Sequence, residues 1–223
     1  MIREFPTPQA LADALADYVT ALLIARLARD GAAALAVSGG TTPVKFFQAL
    51  ATKELDWRHV TITLVDDRWV PEASSRSNTA LVKQHLLQGK AADAKFLPLV
   101  NDAATPEAGL AEVERAVTAL PLPFAAVVLG MGLDGHTASF FPGGDHLAAA
   151  LAPSHGQLAE TLRAPGAVEP RITLTLPVLL AAEGVALHIE GAAKRAVLEG
   201  GAPDLPVRAA LARKPAPEIF WSP

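Results

Sequence analysis

Four short apolar runs, at residues 33–37, 60–65, 124–129 and 185–189, constrain this chain most, because each is bounded by turn residues and separated from the next by helical periodicity. Apolar runs of this length suit strands buried on both faces, as parallel strands are when helices cover them. The intervening segments supply the helices. Thr7 and Pro8 form a cap and first helical residue, after which Leu11, Leu15, Tyr18, Leu22 and Leu23 recur at helical spacing until Gly31. Thr42-Pro43 and Thr105-Pro106 repeat the cap-then-proline signature, and Leu176-Pro177 opens a further helix expected to close at Gly184. The alternation predicts an α/β fold: a doubly wound, mainly parallel sheet with helices on both faces. Two stretches rich in alanine, proline and glycine, residues 143–166 and 200–217, are expected to form loops and short helices outside the main sheet. No internal repeat or linker divides the chain, and 223 residues, 51% of them hydrophobic, suffice for one core, so residues 1–223 read as one domain.

In open α/β sheets, ligands bind beyond the carboxyl ends of the strands. The polar residues of this chain collect there. Ser38-Gly39-Gly40-Thr41-Thr42-Pro43 follows the first run, Asp66-Asp67-Arg68-Trp69 the second, residues 130–143 the third and residues 191–194 the fourth, so that four loops are expected at one edge.

Composition narrows the chemistry. A net charge of -4, a pI near 5.9 and the absence of any basic run leave no electrostatic footprint for nucleic acid or an acidic membrane. Without cysteine there is no disulfide framework, thiolate metal site or cysteine nucleophile, which fits a reducing compartment. The first residues lack a basic region followed by an apolar stretch, and Arg26 interrupts the longest helical apolar run, so a soluble, cytoplasmic protein is expected.

The loops carry the candidate groups. Gly39 and Gly40, between a strand and a helix near Pro43, allow either an anion cradle of backbone amides or an ordinary strand-to-helix turn. Ser38 resembles the serine of a nucleophile elbow, but four residues separate it from Pro43 where the elbow leads straight into its helix, so it fits better as a hydroxyl ligand. Gly130-Met131-Gly132-Leu133-Asp134-Gly135 matches a dinucleotide fingerprint, yet continues as His-Thr-Ala-Ser-Phe-Phe-Pro-Gly and not as a helix, so no nicotinamide cofactor is expected. The glycines instead present Asp134 and His136, an acid–base pair with the carboxylate orienting the imidazole. His59, His85 and His188 lie in element-like segments and read as structural, while His146 and His155 have no ligand spacing to His136, so no metal is expected. Asp66-Asp67-Arg68 is either a solvated cluster or a strand end that offers Arg68 to an anionic substrate. Arg171 and Lys194, ambiguous singly, can together complete a phosphate site.

These blocks, with Ser77-Asn78, residues 130–143 and Pro170-Arg171-Ile172-Thr173, resemble the 6-phosphogluconolactonases of the glucosamine-6-phosphate isomerase/6-phosphogluconolactonase family over nearly the whole chain. The resemblance implies a modified Rossmann-like fold and cofactor-free hydrolysis of 6-phosphoglucono-δ-lactone in the oxidative pentose phosphate pathway. It also implies that Ser38, Gly39, Gly40, Thr41 and Thr42 hold the substrate phosphate, with Lys194 and Arg171 supplying charge. The related deaminases read Asp-Glu-Tyr and Gly-His-Ile-Ala-Phe-Asn-Glu-Pro at the corresponding segments. Here Arg68 replaces the tyrosine, and Phe141 stands before Pro142 where the deaminase has a glutamate. Asp67 departs from the lactonase pattern, in which glutamate is usual. On this reading His136 is the base, Asp134 its orienting group and Arg68 the stabiliser of charge at the lactone oxygen. A sugar-phosphate-binding regulator without turnover is the alternative from another class.

Overall fold

The structure, a computed structural model, describes residues 2–200 and 202–223. Its strands are β1 (Ile2–Glu4), β2 (Ala33–Val37), β3 (Val60–Leu64), β4 (Asp66–Arg68), β5 (Lys95–Leu97), β6 (Ala126–Leu129), β7 (Ala159–Leu162), β8 (Arg171–Leu174), β9 (Gly184–Glu190) and β10 (Glu218–Ser222). Its α-helices are α1 (Pro8–Asp30), α2 (Val44–Leu50), α3 (Asn78–His85), α4 (Pro106–Thr118), α5 (Leu147–Leu151), α6 (Leu176–Leu180), α7 (Ala192–Gly200) and α8 (Pro206–Leu211).

Seven strands form one parallel sheet in the order β1-β10-β9-β6-β2-β3-β5. The four predicted apolar runs are its central strands, and β2, β6 and almost all of β9 are buried. From β1 through β2 and β3 to β5 the chain moves toward one edge, whereas from β6 through β9 to β10 it moves toward the other. Right-handed crossovers therefore place helices on both faces. The reversal falls between the neighbours β2 and β6, which opens a crevice at their carboxyl ends, where such sheets bind ligands.

Local signals fix α1 at both ends. Thr7 accepts a hydrogen bond from the Ala10 amide, Pro8 opens the helix, and Gly31 closes it at φ 74° with its amide on the Leu27 carbonyl. Thr105 caps α4 in the same way through the Ala108 amide. Two expectations are corrected. Helix α2 begins after Pro43 with no side-chain cap, so Thr42 is not a capping residue. Helix α6 ends at Leu180, and Gly184 opens β9 instead of closing a helix.

A second sheet, antiparallel and ordered β4-β8-β7, was not anticipated. Its strands are three or four residues long, too short for alternation to show, and β7 lies inside the stretch expected to be loop and short helix. The strand β4 continues β3 past the edge of the main sheet, through Val65, whose amide reaches the Val37 carbonyl and whose carbonyl accepts the Leu174 amide. Ile172 and Leu174 thereby join the same apolar cluster as β2, β3 and β6.

Candidate active site

The loops after β2, β3, β6 and β9 enclose a cleft of about 240 Å³ at the crevice, bordered by Ser38 to Pro43, Asp66, Arg68, residues 128–132, His136, Arg171 and Lys194 among others. Ser38 ties two loops together: its amide donates to the Val128 carbonyl, and its hydroxyl oxygen accepts the Gly130 amide at 2.9 Å. Beyond it, the amides of Gly39, Gly40, Thr41 and Thr42 donate to no hydrogen bond among the described residues. Amides left open at a cleft wall favour an anion over the plain turn that the sequence also allowed. Gly39 is required by close approach, since a Cβ there would lie 2.1 Å from the Asn78 side chain. Lys194, half-buried at the start of α7, donates to the Thr42 hydroxyl at 3.3 Å. Burial pulls its ammonium below the ordinary lysine value, and Glu190 opposes that.

The second set of groups hangs on β4 and β8. Asp67 is fully buried, and its carboxylate accepts the Arg68 amide at 2.8 Å, the Asn78 amide at 2.9 Å, the Thr79 amide at 3.1 Å and the Thr79 hydroxyl at 3.0 Å. It thus locks β4 to the N-terminus of α3. Burial pushes its carboxyl above the ordinary value, against the hydrogen bonds that favour the charge. Register pairs Arg68 with Arg171 across the two strands. Arg68 donates to the Arg76 carbonyl at 2.6 Å, and Arg171 lies 3.9 Å from the Asp66 carboxylate, which also accepts the Ser139 hydroxyl at 2.6 Å. Both arginines keep a buried Nε without a hydrogen-bond partner. Burial lowers the Arg171 value, which Asp66 counteracts. The structure therefore sets Arg171 beside Arg68, with Lys194 at the β2 loop.

Asp134 and His136 sit on the loop after β6. The Nδ1–H of His136 donates to Asp134 Oδ1 at 2.6 Å, and the His136 amide donates to the same oxygen at 3.2 Å. Asp134 stands behind the imidazole and does not border the cleft. Gly132 makes this packing possible, because a Cβ there would come within 2.3 Å of the imidazole and 2.5 Å of Asp134 Oδ1. Of the three glycines in the apparent dinucleotide fingerprint, Gly132 thus makes room for the Asp134–His136 pair, whereas Gly130 lies near Ser38 and Gly135 near Leu205. His136 Nε2 has no hydrogen-bond partner among the described residues and is the nitrogen left for chemistry in the cleft.

Asp66 and Asn78, which the sequence blocks contain but to which sequence reasoning gave no role, and His188 also border the cleft. His188, read as structural, is 2% exposed on β9 with Nε2 3.1 Å from Glu190 Oε1. Its signal in the sequence is a histidine inside the apolar run 185–189, where every neighbour is hydrophobic. The histidines weighed as metal ligands stay apart from His136: His146 turns to the Thr161 carbonyl at 3.2 Å, and no cluster of potential ligands occurs among the described residues. No described helix is long and apolar enough to cross a membrane.

Comparison with known proteins fits this geometry. Residues 6–221 match the family described as glucosamine-6-phosphate isomerases/6-phosphogluconolactonase. A 6-phosphogluconolactonase of Rhizobium meliloti (strain 1021) is 49% identical over 98% of this chain and 97% of its own length. One from Mesorhizobium japonicum is 48% identical over 98% and 94%. The crystal structure of a 6-phosphogluconolactonase from Shewanella baltica OS155 superposes with a TM-score of 0.96 at 40% identity, covering 100% of this chain and 97% of that one. A monomeric glucosamine-6-phosphate deaminase, 20% identical with a TM-score of 0.70 over 99% of this chain and 95% of its own, shares the fold. With its sheet order, its loop cluster and these matches, the chain belongs to the glucosamine-6-phosphate isomerase/6-phosphogluconolactonase family.

Proposed function

We propose that this protein hydrolyses 6-phospho-D-glucono-1,5-lactone to 6-phosphogluconate in the oxidative pentose phosphate pathway, as a cytoplasmic carboxylic ester hydrolase with no cofactor, metal, nucleic acid or membrane partner. Residues 1–223 act as one lactonase domain. The observation that carries this reading is the sharing of one cleft by His136, backed by Asp134 at 2.6 Å, and by the open amides of residues 39–42 with Lys194. A remote phosphate held by that loop and by Lys194 positions the lactone carbonyl for attack. Arg171, paired with Arg68 across β8 and β4 at the same cleft, adds charge.

His136 Nε2 takes a proton from water as its oxygen bonds to the lactone carbon, with Asp134 holding Nδ1–H and stabilising the imidazolium. Arg68 faces the tetrahedral oxyanion. Collapse breaks the bond from carbon to ring oxygen, His136 returns its proton to that oxygen, and the new carboxylic acid loses its own proton to solvent. No covalent intermediate is needed, which agrees with Ser38 being engaged by the Gly130 amide and His136 by Asp134. The test is an assay with freshly generated lactone, corrected for spontaneous hydrolysis. Turnover above background supports the reading, and none overturns it.

A further inference from the structure

Phe141 is 4% exposed, yet it does not belong to the apolar cluster that fills the protein, whereas its neighbour Phe140 does. Two groups of the site lie against it. Its ring stacks on the imidazole of His136 with centroids 4.2 Å apart and planes 25° apart. The same ring lies 5.2 Å from the guanidinium carbon of Arg171. Both groups need such a support. The His136 side chain is 30% exposed and is held by one hydrogen bond at Nδ1, about which the ring can still swing. Arg171 has an unpartnered Nε, and its carboxylate neighbour is 3.9 Å away, beyond hydrogen-bond reach. An aromatic face limits the swing of the first by stacking and attracts the second through its quadrupole.

We propose that Phe141 is a positioning residue that couples proton transfer to anion binding, its ring setting both the plane of the His136 imidazole and the place of the Arg171 guanidinium. An anion drawn to Arg171 then fixes the base as well, and the imidazolium formed during turnover gains the same aromatic face. This rests on the reading of His136 as base.

The test compares wild type with Phe141→Leu, which keeps apolar bulk without a flat face, and with Phe141→Tyr, which restores the face. Phe141→Leu is expected to lower kcat at least tenfold, raise KM several-fold for the phosphorylated lactone and displace the acid limb of the kcat/KM profile. Phe141→Tyr should recover most of that loss. A purely packing role would lower the folded fraction while leaving KM and the pH profile of the remaining enzyme unchanged, and that result overturns the proposal. Should Phe141→Leu not fold, Phe141→Met replaces it.

A second readout needs no turnover. The His136 ring-proton resonances are followed by NMR during titration with 6-phosphogluconate. In wild type they should shift on binding, and in Phe141→Leu the response should shrink although the product still binds. An equal response in both proteins refutes the coupling even where the assay supports lactone hydrolysis. Full turnover in His136→Ala would instead overturn the base assignment, and the coupling with it, while leaving lactone hydrolysis as the activity.

Discussion

Asp134 Oδ1 receives two hydrogen bonds from a single residue, His136, one from the ring at 2.6 Å and one from the backbone amide at 3.2 Å. The carboxylate can only accept, so Nδ1 carries the proton and Nε2 presents a lone pair. His136→Ala should therefore lower kcat by ~10² to 10⁴ while product affinity stays within several-fold, because acid–base help is lost and phosphate contacts are kept. Asp134→Asn should cost less, about tenfold or more in kcat, since an amide oxygen can still hold the tautomer without stabilising the imidazolium. Steady-state kinetics with 6-phosphogluconate titrations check both. Near-normal turnover in His136→Ala would remove it from the mechanism.

Lys194 should set selectivity for the phosphorylated substrate. A neutral lactone such as glucono-δ-lactone offers no partner to the amides of residues 39–42 or to the ammonium. Charge-assisted contacts are worth ~1.5 to 3 kcal/mol each, so wild type should favour the phosphorylated lactone by more than a hundredfold in kcat/KM. Lys194→Ala should narrow that ratio by ~10-fold or more, with activity on the neutral lactone unchanged. An unaltered ratio would mean the phosphate lies elsewhere.

The depressed Lys194 value adds a pH dependence. Without ligand, its ammonium should lose its proton below the ordinary lysine value of 10.5, so product affinity should weaken at alkaline pH earlier than for an exposed lysine. Lys194→Arg should move that weakening to higher pH. For stability the sign is opposite. Between the folded and unfolded values the unfolded chain binds more protons, so this group stabilises the fold as pH rises and costs stability at neutral pH. Lys194→Met should accordingly raise the melting temperature of the unliganded protein at pH 7. A fall in calorimetry would contradict that.

Asp67 should be a stability residue first. Replacing it by alanine leaves the amides of Arg68, Asn78 and Thr79 without their acceptor in a buried place. Unsatisfied buried groups cost ~1 to 3 kcal/mol each, so the sum should exceed about 3 kcal/mol, a fall of order 10 °C in melting temperature. A change below about 1 kcal/mol in urea unfolding would refute this account.

Ser38→Ala removes the acceptor of the Gly130 amide, which joins the β2 and β6 loops. Phosphate affinity should fall moderately, with turnover remaining well above background. Mass spectrometry during turnover should find no acyl group on Ser38, and an adduct there would replace the water mechanism with a serine one.

Residues legible in the sequence share one property: their signals are local. Thr7, Pro8 and Gly31 fix α1 through their own backbone preferences, and continuous apolar runs mark β2, β3, β6 and β9. The glycines around Asp134 and His136 likewise advertise a loop with side chains to present. The short edge strands β1 and β5, and all of the β4-β8-β7 sheet, carry three or four residues each and were invisible, because their stability comes from partners far along the chain.

The sequence by itself determined the layered α/β plan, the carboxyl-edge position of the loops and the pairing of Asp134 with His136, since each follows from backbone chemistry within a few residues. Only the tertiary structure decided which distant groups meet. Arg171 stands beside Arg68 because β8 pairs antiparallel with β4. Phe141 joins His136 to Arg171 because the loop after β6 folds back onto that sheet. His188 enters the cleft because β9 neighbours β6. Register between strands dozens of residues apart is set by the closing of the core, which no local pattern encodes.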